Sequence, residues 1–376
     1  MAERPAPLIW VTSPAEGQPF GSHSAVAADG RRLLAAELSQ RLGRLGAAVA
    51  PLPWKAPEAG AFHWGRWFAG RARTAIEAGA AVDAIGYAGG SALPLLADEV
   101  LDDLLSPIPG EVVSNNRFSA DAFVVSGTPE DLGRALAALE ACESDNAAPR
   151  HLEEAGFSSR DLGAAAWARF DVDTTLDLAL LRLSTRLSGM RALDGSVRSF
   201  LEMARLPGDA ALEVPHLARL GEVIRDREAE LVVAGRVPAS VWQHLETETA
   251  CRVRCFVEER GMRSARGGVP RSILAALMRR TSPADLVQEL GRLGDAVILD
   301  TRVVMASLAE SSRADAWPPE EERFASDFGA YAGIRTAWLR ELTEAASASA
   351  VPVLCGGHAL VSDGLRLIVA SAWQGH

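Results

Sequence analysis

Lysine is almost absent from this chain. Lys55 is the only lysine among 38 basic residues, so chemistry that needs a Schiff-base or phosphate-clamping lysine has a single candidate. Basic charge is also scarce, because 49 acidic residues leave a net charge of −11. Such a balance gives little surface for neutralising a phosphate backbone. We therefore expect no nucleic-acid partner, and we expect any phosphate to be bound by arginine or backbone amides.

Long apolar runs and paired cysteines are missing as well. No stretch reaches the roughly 18 to 20 continuous apolar residues of a membrane span, and the first residues show no signal-peptide pattern. The four cysteines, Cys142, Cys251, Cys255 and Cys355, have neither C-x-x-C spacing nor an accompanying histidine cluster. These absences predict a cytoplasmic protein with free thiols and no membrane partner.

Short apolar runs alternate with amphipathic segments along the chain. Leucines at three- and four-residue steps predict a helix over 29–46, after a first strand at 8–11. Further strands are predicted at 47–52, 81–87, 111–113, 122–125, 231–234, 253–257, 296–299 and 351–354. Further helices are predicted at 64–80, from 97, and at 129–143, 174–187, 240–247, 270–278 and 283–293. This alternation predicts an α/β fold with mainly parallel, Rossmann-like sheets, whose ligands lie beyond the carboxyl ends of the strands.

The length of 376 residues predicts two domains at about 150 residues each. We place the first domain at 1–195 and a charged, helical connector at 196–228. A second, smaller Rossmann-like α/β domain then covers 229–376.

Four polar segments of the first domain are candidates for chemistry. They are Gly89–Leu96, Ser114–Asp121, Ser144–Asn146 and Phe170–Leu178. In the last segment Asp171 and Asp173 are two residues apart, so in extended chain their carboxylates point the same way. Thr174 can cap a helix whose first turn contains Asp177. The two carboxylates are candidate ligands for Mg²⁺ on a nucleotide phosphate.

The sequence DVDTTLDL at 171–178 resembles the D-[IV]-D-T-P-x-D-L motif of nucleotidyltransferases with a glycosyltransferase-A-like fold, with Thr175 in place of the proline. The N-terminal half is similar in particular to the molybdenum cofactor guanylyltransferase and 2-phospho-L-lactate guanylyltransferase type. The resemblance implies a nucleotidyltransferase-like sheet and transfer of a nucleoside monophosphate from an NTP to a small anionic metabolite. It also implies Mg²⁺ bound by Asp171 and Asp173, with positioning and charge neutralisation as the main catalytic effects.

Under this interpretation the substrate contacts come from polar loops and one helix. The candidate substrate-binding residues are Gly89, Gly90, Ser91, Asn115, Asn116, Ser119, Asp121 and Arg66. Amide and hydroxyl side chains can read a base or a sugar through hydrogen bonds. Arg66 stands between Trp64 and Trp67, so it can meet a phosphate while the indoles stack on a flat ligand.

Two departures from the family pattern leave a second interpretation open. The loop after the first strand contains Pro14, Glu16 and Pro19 where the family has a glycine-rich phosphate loop, so few amides are free there. Gly89–Ser91 stands where the family has an aspartate before a proline. Both departures favour a non-catalytic nucleotide- or metabolite-binding or regulatory protein derived from the same fold.

A third interpretation is that these segments are structural. Asp173 and Asp177 can cap a helix, and Asn115-Asn116 can form a turn. A patch such as Trp64–Trp67 more often belongs to an amphipathic helix that buries its indoles. The sequence does not separate these three interpretations.

The second domain has polar segments after three predicted strands. They are Glu258–Arg263, Asp300–Arg302 and Gly356–Gly364. Together they predict a second site, with arginines for an anion, a histidine for proton transfer and glycines for close backbone approach. The residues assigned to it are Arg260, Arg263, Arg302, Gly356, Gly357 and His358. Ion-paired loops are the alternative explanation for each segment.

Overall fold

The chain folds into two compact α/β units. The computed structural model describes residues 5–14, 22–54, 62–78, 82–259, 269–311 and 313–374. Unit 1 comprises Met1–Gly17 and Arg31–Asp171, and unit 2 comprises Gln18–Gly30 and Val172–His376. This division differs from the predicted boundary at residue 195, because the helix Thr175–Ser184 packs against the helix Asp363–Ala372 of unit 2.

Unit 1 is built on a six-stranded sheet. Its strands are β1 (Leu8–Pro14), β2 (Ala48–Trp54), β3 (Ala84–Ala88), β4 (Glu111–Ser114), β5 (Ala122–Ser126) and β6 (Ser158–Asp161). Its helices are α1 (His23–Arg44), whose first residues belong to unit 2, α2 (Trp64–Glu77), α3 (Asp98–Leu105), α4 (Pro129–Glu140) and α5 (Ala148–Glu154). The strand order is β2-β1-β3-β5-β4-β6.

The sheet of unit 1 is mixed. β5 runs antiparallel to both of its neighbours, β3 and β4, whereas the other pairs are parallel. The connection between β4 and β5 is the short segment Asn115–Asp121, and a parallel crossover needs about a dozen residues or more. β5 therefore returns directly alongside β4, which corrects the expectation that strands and helices simply alternate here.

Both faces of the six-stranded sheet are covered. Trp10 points to one face, where it packs with Phe68 of α2 and Phe123 of β5. Its neighbours Ile9 and Val11 point to the other face and pack among residues of α1 and α3. This alternation of side chains along β1 places a hydrophobic core on each side.

Unit 2 is built on a four-stranded parallel sheet, as the sequence predicts for a Rossmann-like unit. A separate antiparallel pair of short strands comes first, β7 (Arg205–Leu206) and β8 (Ala210–Ala211). The four strands of the parallel sheet are β9 (Glu230–Gly235), β10 (Arg252–Val257), β11 (Ala296–Asp300) and β12 (Val353–Gly356). The order of the larger sheet is β10-β9-β11-β12.

Helices make up the rest of the regular structure in the described part of unit 2. They are α6 (Thr175–Ser184), α7 (Gly195–Met203), α8 (Leu217–Arg225), α9 (Ala239–Glu248), α10 (Ile273–Arg280), α11 (Pro283–Gly291), α12 (Thr301–Leu308), α13 (Glu320–Asp327), α14 (Ala337–Ala348) and α15 (Asp363–Ala372). Val232 and Val297 share one core with residues of α10, α11 and α14. α15 contacts α6, α8 and α9. Of the helices in the described ranges, none is both long and apolar enough to cross a bilayer.

Candidate functional site

Several predicted substrate residues meet at one edge of the sheet of unit 1. The parallel strands β1, β3, β4 and β6 all end at this edge, so the loops that follow β3 and β4 lie there together. The amide of Gly89 donates to the carbonyl of Asp121 over 2.8 Å. Asp171 forms an isolated bridge with Ala92, directly after Gly89–Ser91. The structure therefore brings Gly89–Ser91, Asp121 and Asp171 together.

Gly90 is needed for packing inside this edge. A Cβ atom on Gly90 would lie 1.9 Å from the carbonyl oxygen of Thr12 in β1. The amide of Gly90 also donates to Oγ1 of Thr12 over 3.2 Å. This amide is thus engaged within the protein, whereas Gly89 and Ser91 are only half-buried.

We expect Gly90→Ala to lower the free energy of unfolding by about 3 kcal/mol, because the new methyl group overlaps the backbone of β1. The matched control is Gly133→Ala in α4, where a Cβ atom meets nothing within 4 Å. We expect that change to stabilise the helix by about 0.5–1 kcal/mol. Urea denaturation of both variants measures the difference, and equal stabilities would show that the backbone relaxes around residue 90.

Asn115 holds the connection between β4 and β5 in shape. Its Oδ1 atom accepts hydrogen bonds from the amides of Asp121 and Ala122, both at 2.9 Å. Its Nδ2 atom donates to Oδ2 of Asp121 at 3.2 Å and to the carbonyl of Ala168 at 3.0 Å. The oxygen and the nitrogen of this buried side-chain amide therefore both bond within the protein. This agrees with the interpretation of Asn115-Asn116 as a structural turn.

Asn116 and Ser119 present polar atoms near the surface. Oδ1 of Asn116 accepts from the amide of Phe118 at 3.3 Å, which closes the local turn. Oγ of Ser119 donates to Oδ1 of Asn146 at 2.6 Å, so the polar segment at Ser144–Asn146 joins the same edge. Ser119 is exposed and Asn116 half-buried, and both remain candidates for reading a ligand.

The acidic motif spans the division between the units. Asp171 ends unit 1, and Asp173 lies in unit 2, where its amide donates to Oδ2 of Asp177 at 3.1 Å. Thr174 caps α6 as predicted. Its Oγ1 atom accepts from the amide of Asp177, and its own amide donates to the Asp177 carboxylate. This reciprocal pair is a capping box.

A magnesium site at Asp171 and Asp173 stays a prediction. Across the described ranges of the chain, no three His, Cys, Asp or Glu side chains are grouped so that they could hold a metal ion. Mg²⁺ commonly takes only one or two carboxylates, with phosphate and water as its remaining ligands. The donor types of Asp171 and Asp173 fit that pattern.

The helix that carries Arg66 buries one of its indoles. Trp64 is 3% exposed and stacks on Phe68 with ring centroids 5.1 Å apart, so its indole belongs to the core. The predicted stacking of Trp64 on a ligand is therefore wrong. Arg66 is exposed, and its amide donates to Nδ1 of His63, which caps α2.

The sheet of unit 2 has a crevice of the kind where open α/β sheets bind ligands. The chain passes from β9 to β10 on one side and continues through β11 and β12 on the other, so the strand order reverses between β9 and β11. Gly235 ends β9 there with φ +142°, and a Cβ atom would lie 2.2 Å from Cβ of Asp300. The backbone of β9 can approach Asp300 this closely only because residue 235 is glycine.

An ion pair lies at this reversal point. Nε and Nη2 of Arg236 donate to the two carboxylate oxygens of Asp300, at 2.6 and 3.0 Å. Asp300 also accepts from the amide of Arg302 and so caps α12. Burial alone would raise the pKa of Asp300, but the charge and hydrogen bonds of Arg236, together with nearby His358, hold it below its ordinary value. Asp300 is therefore ionised at neutral pH.

Four of the residues predicted for a second site come together at this edge. Oγ1 of Thr301 donates to the carbonyl of Gly356, and a Cβ atom on Gly357 would lie 3.6 Å from Cγ of Arg302. His358 is close enough to affect the pKa of Asp300. The guanidinium of Arg302, predicted to bind an anion, donates to both carboxylate oxygens of Asp327 at 2.7 and 2.6 Å. Arg260 and Arg263 lie outside the described residues.

Two charged residues of this edge were missed from the sequence, Arg236 and Asp327. Asp327 ends α13, a helix that the apolar periodicity alone did not indicate. Its start carries a recognisable signal, because Pro319 precedes three glutamates at 320–322, and acidic residues favour the first turn of a helix. Arg236 directly follows β9, and its position after a strand is a signal that the sequence contains, because open α/β sheets bind ligands there.

Asp177, in the first turn of α6, is a buried carboxyl group with a perturbed pKa. It is buried, and burial together with the charges of Asp173 and Asp327 raises its pKa to about 7, against the effect of its hydrogen bonds with Thr174. Its Oδ1 atom has no hydrogen-bond partner among the described residues. The carboxyl group is therefore poised to exchange a proton near neutral pH.

The chain matches neither a protein-family model nor a curated protein. Function has therefore to be inferred from the residues and contacts described above.

Proposed function

We propose that unit 1 binds a nucleoside triphosphate at the carboxyl edge of its sheet and transfers the nucleoside monophosphate to a small anionic metabolite, with release of pyrophosphate. The meeting of Gly89–Ser91, Asp121 and Asp171 at this edge supports the proposal. Open α/β sheets bind their ligands beyond the carboxyl ends of the strands, and these loops follow two such ends. The similarity of 171–178 to the nucleotidyltransferase motif supplies the reaction type.

The polar side chains at this edge have different roles in the proposed reaction. The hydroxyl of Ser91 binds a phosphate oxygen, and Asn116 and Ser119 contact the base or the sugar from the surface. Asp171 would provide a carboxylate for Mg²⁺, with Asp173, two residues further along the chain, as the second candidate. When bound, the metal ion offsets negative charge that develops at the α-phosphate.

A second candidate function is binding without transfer. The observations that favour it are the internal engagement of the Gly90 amide and of the Asn115 side chain, since both were predicted to contact the substrate. With these groups committed to the loops, the edge retains fewer donors for the three phosphates of a nucleotide. A regulatory protein that senses a nucleotide or a phosphorylated metabolite only has to bind it, and needs no groups for the transfer reaction.

Thermal unfolding with each of the four NTPs, with and without Mg²⁺, tests binding, and release of pyrophosphate with a panel of small anionic acceptors tests transfer. Stabilisation together with pyrophosphate release supports nucleotidyl transfer. Stabilisation without release supports the binding protein. If no nucleotide raises the melting temperature, nucleotidyl transfer and nucleotide sensing are both overturned.

We expect Asp171→Asn to abolish the part of nucleotide stabilisation that depends on Mg²⁺, because the amide removes a charged oxygen ligand. The matched control is Asp161→Asn, a carboxylate at the end of the parallel strand β6, whose oxygen accepts from the amide of Gly163. That variant should keep the magnesium effect. Retention of the effect in Asp171→Asn would remove Asp171 from the proposed site.

A further inference from the structure

The N-terminus of α1 holds a carboxylate from a distant part of the chain. The amides of His23 and Ser24 donate to the two oxygens of Glu321, at 2.9 and 2.8 Å. The amide of Ala25 donates to Oγ of Ser22, so the helix has its own cap for the third amide. Glu321 belongs to the first turn of α13, 298 residues from His23. All of these residues are in unit 2.

This arrangement is that of an anion on a helix N-terminus. The first amides of a helix lack partners within the helix and point outward, and the helix dipole adds a partial positive charge. Phosphate and carboxylate groups bind at such ends through these amides. α1 is long, with 22 residues, and Glu321 places one oxygen on each of its first two amides, as a bound phosphate would.

A second, independent feature is the His23 side chain. The imidazole is 3% exposed, and its Nδ1 atom has no hydrogen-bond partner in the described part of the chain. It is held in place, because the ring stacks on Phe328 with centroids 5.5 Å apart and the His23 carbonyl accepts from Oγ1 of Thr175. Burial lowers the pKa of His23, while the nearby Glu321 carboxylate acts in the opposite direction. A buried polar atom without a partner requires an explanation.

Each oxygen of the Glu321 carboxylate accepts from one amide, that of His23 or that of Ser24. A phosphate group has three terminal oxygens, so it can offer one to each of the two amides and a third to Nδ1 of His23 when the proton is on that nitrogen. It also carries more negative charge than a carboxylate, which strengthens its hydrogen bonds with the helix amides.

We propose that the N-terminus of α1 is a binding site for the phosphate group of a small metabolite, and that Glu321 is its built-in competitor. Binding of the phosphate displaces the Glu321 carboxylate from the amides of His23 and Ser24. Because Glu321 is part of the same chain, its effective concentration at the site is high, which keeps weak anions out. The proposal concerns unit 2 and does not depend on nucleotidyl transfer in unit 1.

The test compares Glu321→Ala with Glu320→Ala, a matched change that removes one negative charge from the same helical turn. The probes are inorganic phosphate and pyrophosphate, titrated against chloride at constant ionic strength and followed by calorimetry and thermal unfolding. We expect Glu321→Ala to bind the probes at least about tenfold more tightly than the wild type, which corresponds to the loss of a competitor. Glu320→Ala should bind them like the wild type.

Equal affinities in the two variants would overturn the proposal and leave Glu321 as a helix cap only. If Glu321→Ala fails to fold, Glu321→Gln retains one acceptor oxygen for the helix and serves in its place. In the wild type, the amide resonances of His23 and Ser24 should shift on titration with pyrophosphate and saturate. Amide resonances that do not move at saturating pyrophosphate would contradict the site, whatever the outcome with nucleotides.

Discussion

Replacing Arg302 with methionine is expected to lower the free energy of unfolding by about 3–5 kcal/mol, the largest effect among the changes considered. Arg302 and Asp327 are both buried, with side chains 7% and 0% exposed, and two hydrogen bonds join them. The variant leaves the Asp327 carboxylate in the interior without its main partner. Burial already raises the pKa of Asp327 against the opposing effects of Arg302 and Arg323, so loss of Arg302 will favour its protonation. The destabilisation should therefore be smaller at pH 5 than at pH 8.

Urea denaturation at the two pH values measures this effect. The control is Arg313→Met, because Arg313 and Asp315 form an equally close pair at the surface, with side chains 72% and 63% exposed. An exposed pair contributes little to stability, because water solvates and screens both charges. The double variant Arg302→Met with Asp327→Leu removes both buried charges and should recover much of the lost stability. If Arg302→Met is as stable as Arg313→Met, the buried pair does not have the energetic role assigned to it.

The second large effect is a dependence of stability on pH that comes from Asp177. Its pKa is about 7 in the folded chain and near 3.9 in an unfolded chain. The folded state thus binds this proton more tightly, so the contribution of Asp177 falls as pH rises from about 4 to about 7. The loss amounts to about 4 kcal/mol when the window is crossed completely. Asp173 and Asp327 raise this pKa, and Arg302 lies near enough to Asp177 to be affected by its charge.

Asp177→Asn should remove this dependence, since the amide keeps an oxygen for the capping box but does not titrate. We expect the variant to be less stable than the wild type at pH 4.5 and equally or more stable at pH 8. Asp131→Asn is a matched control, because Thr128 and Asp131 form the same capping box on α4 near the surface. Hydrogen bonds with Thr128 lower the pKa of Asp131, so its stabilising contribution is lost as pH falls. Parallel pH profiles for the two variants would contradict the assignment.

Much of the fold follows from local sequence patterns. The strands that carry apolar runs, such as β1, β9 and β11, are predicted because burial on both sheet faces requires continuous apolar residues. β6 was missed, since Ser158–Asp161 is polar and lies at the edge of the sheet. The direction of β5 was within reach of the sequence, because the connection Asn115–Asp121 is too short for a crossover.

The contacts at the candidate sites were likewise predictable only in part. That Arg302, Gly356 and Gly357 approach one another follows from the ends of adjacent parallel strands, which is a property of the fold class. That Arg302 binds Asp327 instead of remaining open to a ligand depends on how α13 packs, and no local pattern encodes it. One hydrogen bond of the Asn115 side chain likewise depends on a residue far along the chain, because Nδ2 donates to the carbonyl of Ala168.

The division of α1 between the units affects how the protein can be taken apart. Gly30 is the last residue of α1 that belongs to unit 2, and a Cβ atom there would lie 2.6 Å from the terminal methyl groups of Leu178 in α6. The peptide backbone enters unit 2 at Gln18, leaves it after Gly30 and re-enters it at Val172. No single cleavage point releases either half intact, so a fragment that starts at Val172 lacks the stretch containing His23. Grafting unit 2 onto another polypeptide would require the transplantation of two separate pieces of sequence.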